Sequence, residues 1–235
     1  MFFYLKIHKS DSKKQSVKSV AKTISEANAI AVRVGLADKA DFSDLSLESA
    51  NMIIQTMIET KKNFSFIPKL EFIGNPNYSP INEDKVTALG NGIAWIRKKD
   101  ANGGVRSLCL KEEYFRSNND EQKEHLKYLV ESKYHPEGCS TLKSQVDHEI
   151  GHMIDASLNL AISNNAQIKS LYQKHMNIHS KSEKHLKMGN ILSHYARTDR
   201  EEFVAEAWAE YRNNPTPRLL ATEVGKIIES YMKKS

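Results

Sequence analysis

The sequence predicts an α+β fold: a small mixed sheet with a hairpin, one central helix carrying a His-Glu-x-x-His run, and a helical C-terminal lobe. Three observations predict it. Apolar residues recur at helical spacing in the N-terminal part of the chain. Segments of alternating character, broken by glycine-rich turns, lie between residues 69 and 110. Helical patterns then return and continue to the C-terminus.

The elements follow in order. Residues 1–15 hold a short alternating stretch and then a lysine-rich one. Ser16 to Val34 is expected as a helix with Val17, Val20, Ile24, Ala27, Ala31 and Val34 on one face, stopped by Gly35. Ala37 to Asp44 reads as a turn. A second helix is expected from Ser46 to Lys61, its stripe formed by Leu47, Ala50, Ile54, Met57 and Ile58. The texture changes after Lys62, which divides the chain into an N-terminal helical region, 1–62, and a second region, 63–235, packed as one unit.

Lys69 to Ile73 alternates like a strand and ends at the turn signal Gly74-Asn75-Pro76. Gly92 to Arg97 and Val105 to Leu110 flank Asp100-Ala101-Asn102-Gly103-Gly104, a hairpin signature. Asn118 to Val130 reads as a polar helix broken by Pro136-Glu137-Gly138. Ser140 or Thr141 can cap the next helix, which runs to about Ser157. Further helices are expected over Asn165 to Met176, Asp199 to Arg212 and Pro217 to Met232, with Asp199 as an N-cap.

Composition excludes several classes. Hydrophobic residues make up 40% and charged residues 27%, which is ordinary for a globular protein. No apolar run approaches the roughly 18 residues that a membrane span needs. The first seven residues are too quickly interrupted by charge for a secretory signal, so a cytoplasmic or virion-associated location is the default expectation. The net charge of +5 draws on a lysine-rich N-terminal stretch without interleaved aromatics, which argues against a nucleic-acid partner. Cys109 and Cys139 are too few and too far apart for a disulfide framework or a close-spaced metal pair, and are expected to be reduced and buried.

The chemistry concentrates in His148-Glu149-Ile150-Gly151-His152. Positions i and i+4 of a helix share a face one turn apart, so His148 and His152 can reach a single ion. Glu149 then stands beside a metal-bound water. This is the parts list of a zinc-dependent peptide hydrolase. Hydrolytic zinc takes three protein ligands, and the position six residues beyond His152, where an extended pattern would put a third histidine, is Leu158. A glutamate from a later helix is the natural alternative, and Glu202 and Glu206 both lie on one. Asp155, on the same face as the two histidines, is expected to orient a ligand.

Together, His148-Glu149-x-x-His152-x-x-Asp155 and the segment Tyr195 to Trp208 closely resemble the catalytic domain of anthrax lethal factor and its relatives. These include the Pro-Pro endopeptidases and phage-borne and bacterial domains. In that family a tyrosine stands seven residues before the zinc-binding glutamate and another glutamate follows four residues later, as Tyr195, Glu202 and Glu206 do here. The resemblance implies a zincin-like metallopeptidase domain in 63–235, with one zinc ion held by His148, His152 and Glu202. It makes Glu149 the general base, Tyr195 the phenol that stabilises the transition state, and Glu206 a partner of a ligand histidine. Looser likeness to phage-encoded members extends through the strand and hairpin region and to Tyr211-Arg212-Asn213-Asn214-Pro215.

The expected partner is a protein or peptide, lying extended along the sheet edge that precedes the motif helix. That edge points to Gly92, Ile93, Ala94 and Trp95, although a tryptophan there is more often core than a substrate platform. The competing expectation is a catalytically silent protein of the same fold, such as a phage head-associated component. The complete set of ligands, base and tyrosine argues against it.

Overall fold

The computed structural model describes residues 21–88, 90, 92–99, 104–116, 120–180 and 192–232. It is mixed α+β. The elements are α1 (Ile24–Arg33), β1 (Ala37–Asp41), α2 (Leu47–Asn63), β2 (Leu70–Gly74), α3 (Asn82–Thr87), β3 (Ala94–Lys98), β4 (Val105–Leu110), α4 (Glu112–Phe115), α5 (Asp120–Glu131), α6 (Leu142–Ser157), α7 (Ala166–Ser180), α8 (Arg200–Asn213) and α9 (Leu219–Glu229).

The first helix begins later than expected. Thr23 is extended and its side chain accepts from Glu26 N, while Glu26 Oε2 accepts from Lys22 N at 2.7 Å. The Thr23 cap fixes the start at Ile24, and the Glu26 carboxylate holds the N–H of the preceding residue. Residues 16–20 of the expected helix lie outside the described residues. Gly35, at φ 75°, ends the helix as expected.

Ala37 to Asp41 is not a turn but a strand, paired in parallel with β2 in the register Ala37↔Leu70 to Asp41↔Gly74. Its sequence, Ala-Asp-Lys-Ala-Asp, buries Ala37 and Ala40 and exposes the two residues between them, so no alternation marks it. Tertiary pairing makes this strand, not propensity. The approach to β2 is close. A Cβ on Gly74 would fall 1.9 Å from Asp41 O, and Gly74 sits at φ 140°, so glycine is required there.

The sheet order is β1-β2-β4-β3, parallel except for the β3–β4 hairpin. The hairpin strands follow the expectation, while residues 100–103 of its turn lie outside the described residues. β3 is therefore an edge. Lys111 N donates to Ile93 O at 3.0 Å, and the alternation of an antiparallel ladder then turns Ala94 and Ile96 away from β4.

One hydrophobic core gathers residues from α1 through α9, including Ile53, Leu108, Ile150, Phe203 and Ile228. The sheet and this core both run across residue 62, since β1 lies before it and β2 after it. Phe72, Ile81 and Cys109 form a second, smaller cluster. α6 starts at Thr141, whose side chain accepts from Ser144 N at 3.1 Å while Ser144 Oγ accepts from Thr141 N at 3.2 Å. No described helix is long and apolar enough to cross a membrane. Cys109 and Cys139 are both buried and free, and burial pushes both thiols well above their ordinary range.

Candidate metal centre

α6 presents His148 and His152 one turn apart, with Nε2 atoms 3.2 Å from each other. α8 supplies the third group. Asp199 caps α8 by accepting from Glu202 N at 2.9 Å, which sets Glu202 in the first turn. Glu202 Oε2 then lies 3.2 Å from His148 Nε2 and 3.1 Å from His152 Nε2.

These three ligand atoms converge as one metal ion would require, and the residues can hold one. A tetrahedral ion at about 2.0–2.1 Å from each ligand separates those ligand atoms by about 3.3 Å. The observed triangle is close to that size, and its nitrogen and oxygen donors suit a borderline cation. Burial by itself would raise the Glu202 carboxyl, but hydrogen bonds with His148 and His152 outweigh it and hold the group well below the usual carboxylate range. His148 is affected in the opposite sense. Burial opposes its charge, yet Glu202 and Glu206 raise its pKa well above the ordinary imidazole value.

Glu149 is buried, and its Oε2 accepts from Ile96 N at 3.0 Å. Burial pushes its carboxyl upward, and the two imidazoles and the Ile96 N–H only partly offset that. The edge strand and the Glu149 carboxylate are thus joined by a direct hydrogen bond.

Tyr195 lies in a single 3-10 turn, Tyr195–Arg197, and its phenol donates to Glu202 Oε1 at 3.2 Å. Its ring stacks on Tyr134 at 5.3 Å and on His148 at 5.9 Å between centroids. Burial, with the Glu202 carboxylate beside it, holds the phenol protonated far above neutral pH.

Glu206 is fully buried among polar partners. It accepts from Ser193 Oγ at 2.7 Å and bonds His135 Nδ1 at 3.0 Å. His148 Nδ1 also lies 2.9 Å from Glu206 Oε1, but out of line with the ring N–H, so this is an ionic contact and not an aligned hydrogen bond. Burial alone would raise Glu206, yet the two histidines bring it down to about 2.

Two expected residues lie elsewhere. Asp155 is buried at the C-terminal end of α6, where its Oδ1 accepts from Ile162 N and Ser163 N at 2.9 and 3.1 Å. It fastens the following turn and has no hydrogen bond to a ligand histidine, because in the last turn of α6 its carboxylate is taken by the N–H groups of the chain that follows the helix. Trp95 packs against Phe72, Ile81 and Cys109, as the alternation from Ala94 dictates. Gly92, Ile93 and Ala94 instead line a cavity of about 370 Å³ together with His148, Glu149 and Tyr195.

The sequence reading passed over His135, Ser193, Tyr134 and the Ile96 N–H. His135 stands immediately before the helix-breaking Pro136, and its proximity to Glu206 comes only from the tertiary fold. A backbone N–H leaves no sequence signal. Comparison with known proteins returned no family model, curated protein or solved structure that matches the chain.

Proposed function

We propose that this chain is a zinc-dependent endopeptidase with a zincin-like site. The observation that carries the reading is the triangle of His148 Nε2, His152 Nε2 and Glu202 Oε2, 3.1–3.2 Å on each side, next to the buried carboxylate of Glu149. When bound, such an ion lowers the pKa of a coordinated water toward about 7 and polarises a carbonyl.

The chain's own residues supply the rest. Glu149, made more basic by burial, takes one proton from the attacking water as the new C–O bond forms. It gives that proton to the amide nitrogen as the C–N bond breaks, and returns to its starting state. Tyr195 keeps its proton and donates a hydrogen bond to the carbonyl oxygen as negative charge develops there. Glu206, fixed by Ser193 and His135, orients His148.

The outward-facing Ala94 at the open edge of β3 can pair with an extended peptide through main-chain hydrogen bonds. The spacing of Tyr195, Glu202 and Glu206 supports a lethal factor-like arrangement of these roles.

The test is cleavage of randomised peptide pools by the zinc-loaded protein, its loss on chelation and its return with zinc. Glu149→Gln is expected to keep zinc and lose cleavage. A Glu149→Gln protein that cleaves as fast as wild type would overturn the mechanism.

A further inference from the structure

The edge strand beside Glu149 is braced from behind by a buried polar cluster that the mechanism above does not use. β3 pairs with β4 in step from Ala94↔Leu110 to Arg97↔Ser107, then slips so that Lys98 stands opposite Val105. The slip is a bulge, a feature that bends an edge strand and re-aims its groups, often next to active sites. It follows directly after Ile96, whose N–H is the donor that Glu149 Oε2 accepts at 3.0 Å.

Both bulge residues are tied down. Alternation puts Trp95 and Arg97 on the face of the sheet opposite Ala94 and Ile96, where α3 lies. Arg97 Nη2 donates to Glu83 O at 2.7 Å and to Thr87 Oγ1 at 2.5 Å, and Nε reaches Asp84 Oδ1 at 3.4 Å. Asp84 is fully buried, and its carboxyl accepts from Ser79 Oγ at 2.7 Å and from Ser107 Oγ at 3.0 Å. Ser107 is the β4 residue opposite Arg97. Lys98 forms an ion pair with Glu201 of α8, the neighbour of Glu202.

The ladder to β4 grips β3 along one side only, which leaves the tilt of its outward N–H groups weakly set. The apolar contact of Trp95 with Phe72, Ile81 and Cys109 covers the strand but has no preferred direction. Hydrogen bonds are directional, and a planar guanidinium bonded at Nε and Nη2 cannot turn without breaking one of them. The polar cluster therefore gives the strand an orientation that packing alone does not.

Resting on the peptidase reading above, we propose that Arg97, held by Asp84, is a positioning residue for Glu149. It sets the bulge so that the Ile96 N–H meets the Glu149 carboxylate and keeps it in one orientation for proton transfer. The contacts of Arg97 and Asp84 run to α3, Ser79 and β4 and include none of the three ligand side chains, so the effect falls on turnover and not on metal binding.

The experiment compares wild type with Arg97→Met, which keeps the apolar stem and removes the donors. Turnover by the zinc-loaded full chain is read on a fluorogenic version of the best-cleaved peptide from randomised pools. Zinc affinity is read by competition with a chelator, and the Ile96 amide by nitrogen-15 NMR of the metal-free chain. Arg97→Met is expected to lower kcat by about 10- to 100-fold, the size of a small misplacement of a reacting group. KM and zinc affinity are expected to stay within about twofold. The Ile96 amide proton is expected to move upfield, toward its position in Glu149→Ala. Arg97→Lys, which keeps the charge beside Asp84 and loses the two-point grip, is expected between wild type and Arg97→Met on both readouts. If Arg97→Met fails to fold, Arg97→Lys decides alone.

An Ile96 resonance or a kcat left unchanged, or zinc affinity that falls in step with kcat, would overturn the positioning role and leave the peptidase reading standing. No cleavage of any pool by wild type would remove the peptidase reading, and the role in turnover with it, whatever the Ile96 resonance does.

Discussion

Gly151 packs so tightly on Ala205 that a Cβ at Gly151 would come within 2.8 Å of Ala205 Cα. This contact sets the distance between α6 and α8, and so the distance between the two histidines and Glu202. Glycine in a helix costs about 1 kcal/mol relative to alanine, and close helix approach is the return for that cost. The glycine inside the His-Glu-x-x-His run therefore serves the metal site through backbone packing.

Gly151→Ala is expected to force the two helices apart. Overpacking of this kind costs about 1–3 kcal/mol, which outweighs the gain in helix propensity. Thermal unfolding of the metal-free protein should show a lower midpoint, and zinc titration a weaker affinity. A variant that melts higher and binds zinc unchanged would show that the spacing does not depend on this contact.

Tyr195→Phe removes the phenol that donates to Glu202 Oε1 and leaves the three ligand atoms in place. Loss of one donor to a developing oxyanion typically costs about 100- to 1,000-fold in turnover. Steady-state peptide cleavage should fall by that much, with zinc content by elemental analysis unchanged. Loss of the metal would assign Tyr195 to holding the ligands instead.

Glu206→Gln replaces the buried carboxylate that Ser193, His135 and His148 share. Partners of metal-binding histidines typically contribute about 10- to 100-fold in metal affinity. Competition with a chromogenic chelator should reveal a loss of that size. An unchanged affinity would make the cluster a packing device and not a support for His148.

Metal affinity is expected to weaken as pH falls. Burial opposes a charge on His148, but Glu202 and Glu206 hold its pKa well above the ordinary value, so a metal must displace a bound proton. Each proton displaced changes the affinity about tenfold per pH unit. Calorimetric titrations in two buffers should detect proton release near pH 7, and an affinity independent of pH would contradict the arrangement. The metal-free fold responds differently through Glu206. Its carboxyl is depressed from 4.5 to about 2, so it contributes stability above pH 4.5 that is lost as pH falls toward 2.

How much of this was legible in the sequence depended on how local each signal was. The helix bearing His148 and His152 follows from spacing and a capping threonine, and the hairpin follows from alternation around glycines. The convergence of Glu202 on the two histidines matches the spacing set by the resemblance, although Glu206 was an equal candidate on residue type alone. β1 was illegible because Ala37 to Asp41 lacks any alternation and is a strand only beside β2. His135 and Ser193 meet Glu206 from 71 and 13 residues away along the chain, contacts that no local pattern encodes. Asp155 had the right helical phase, but it stands in the last turn of α6, where its carboxylate serves the segment that follows.

The most direct measurement is anomalous diffraction at the zinc edge from crystals grown with zinc. The account predicts one strong peak within about 2.0–2.2 Å of His148 Nε2, His152 Nε2 and a Glu202 carboxylate oxygen. A peak bound elsewhere, or zinc-saturated crystals with no peak among those three side chains, would contradict it.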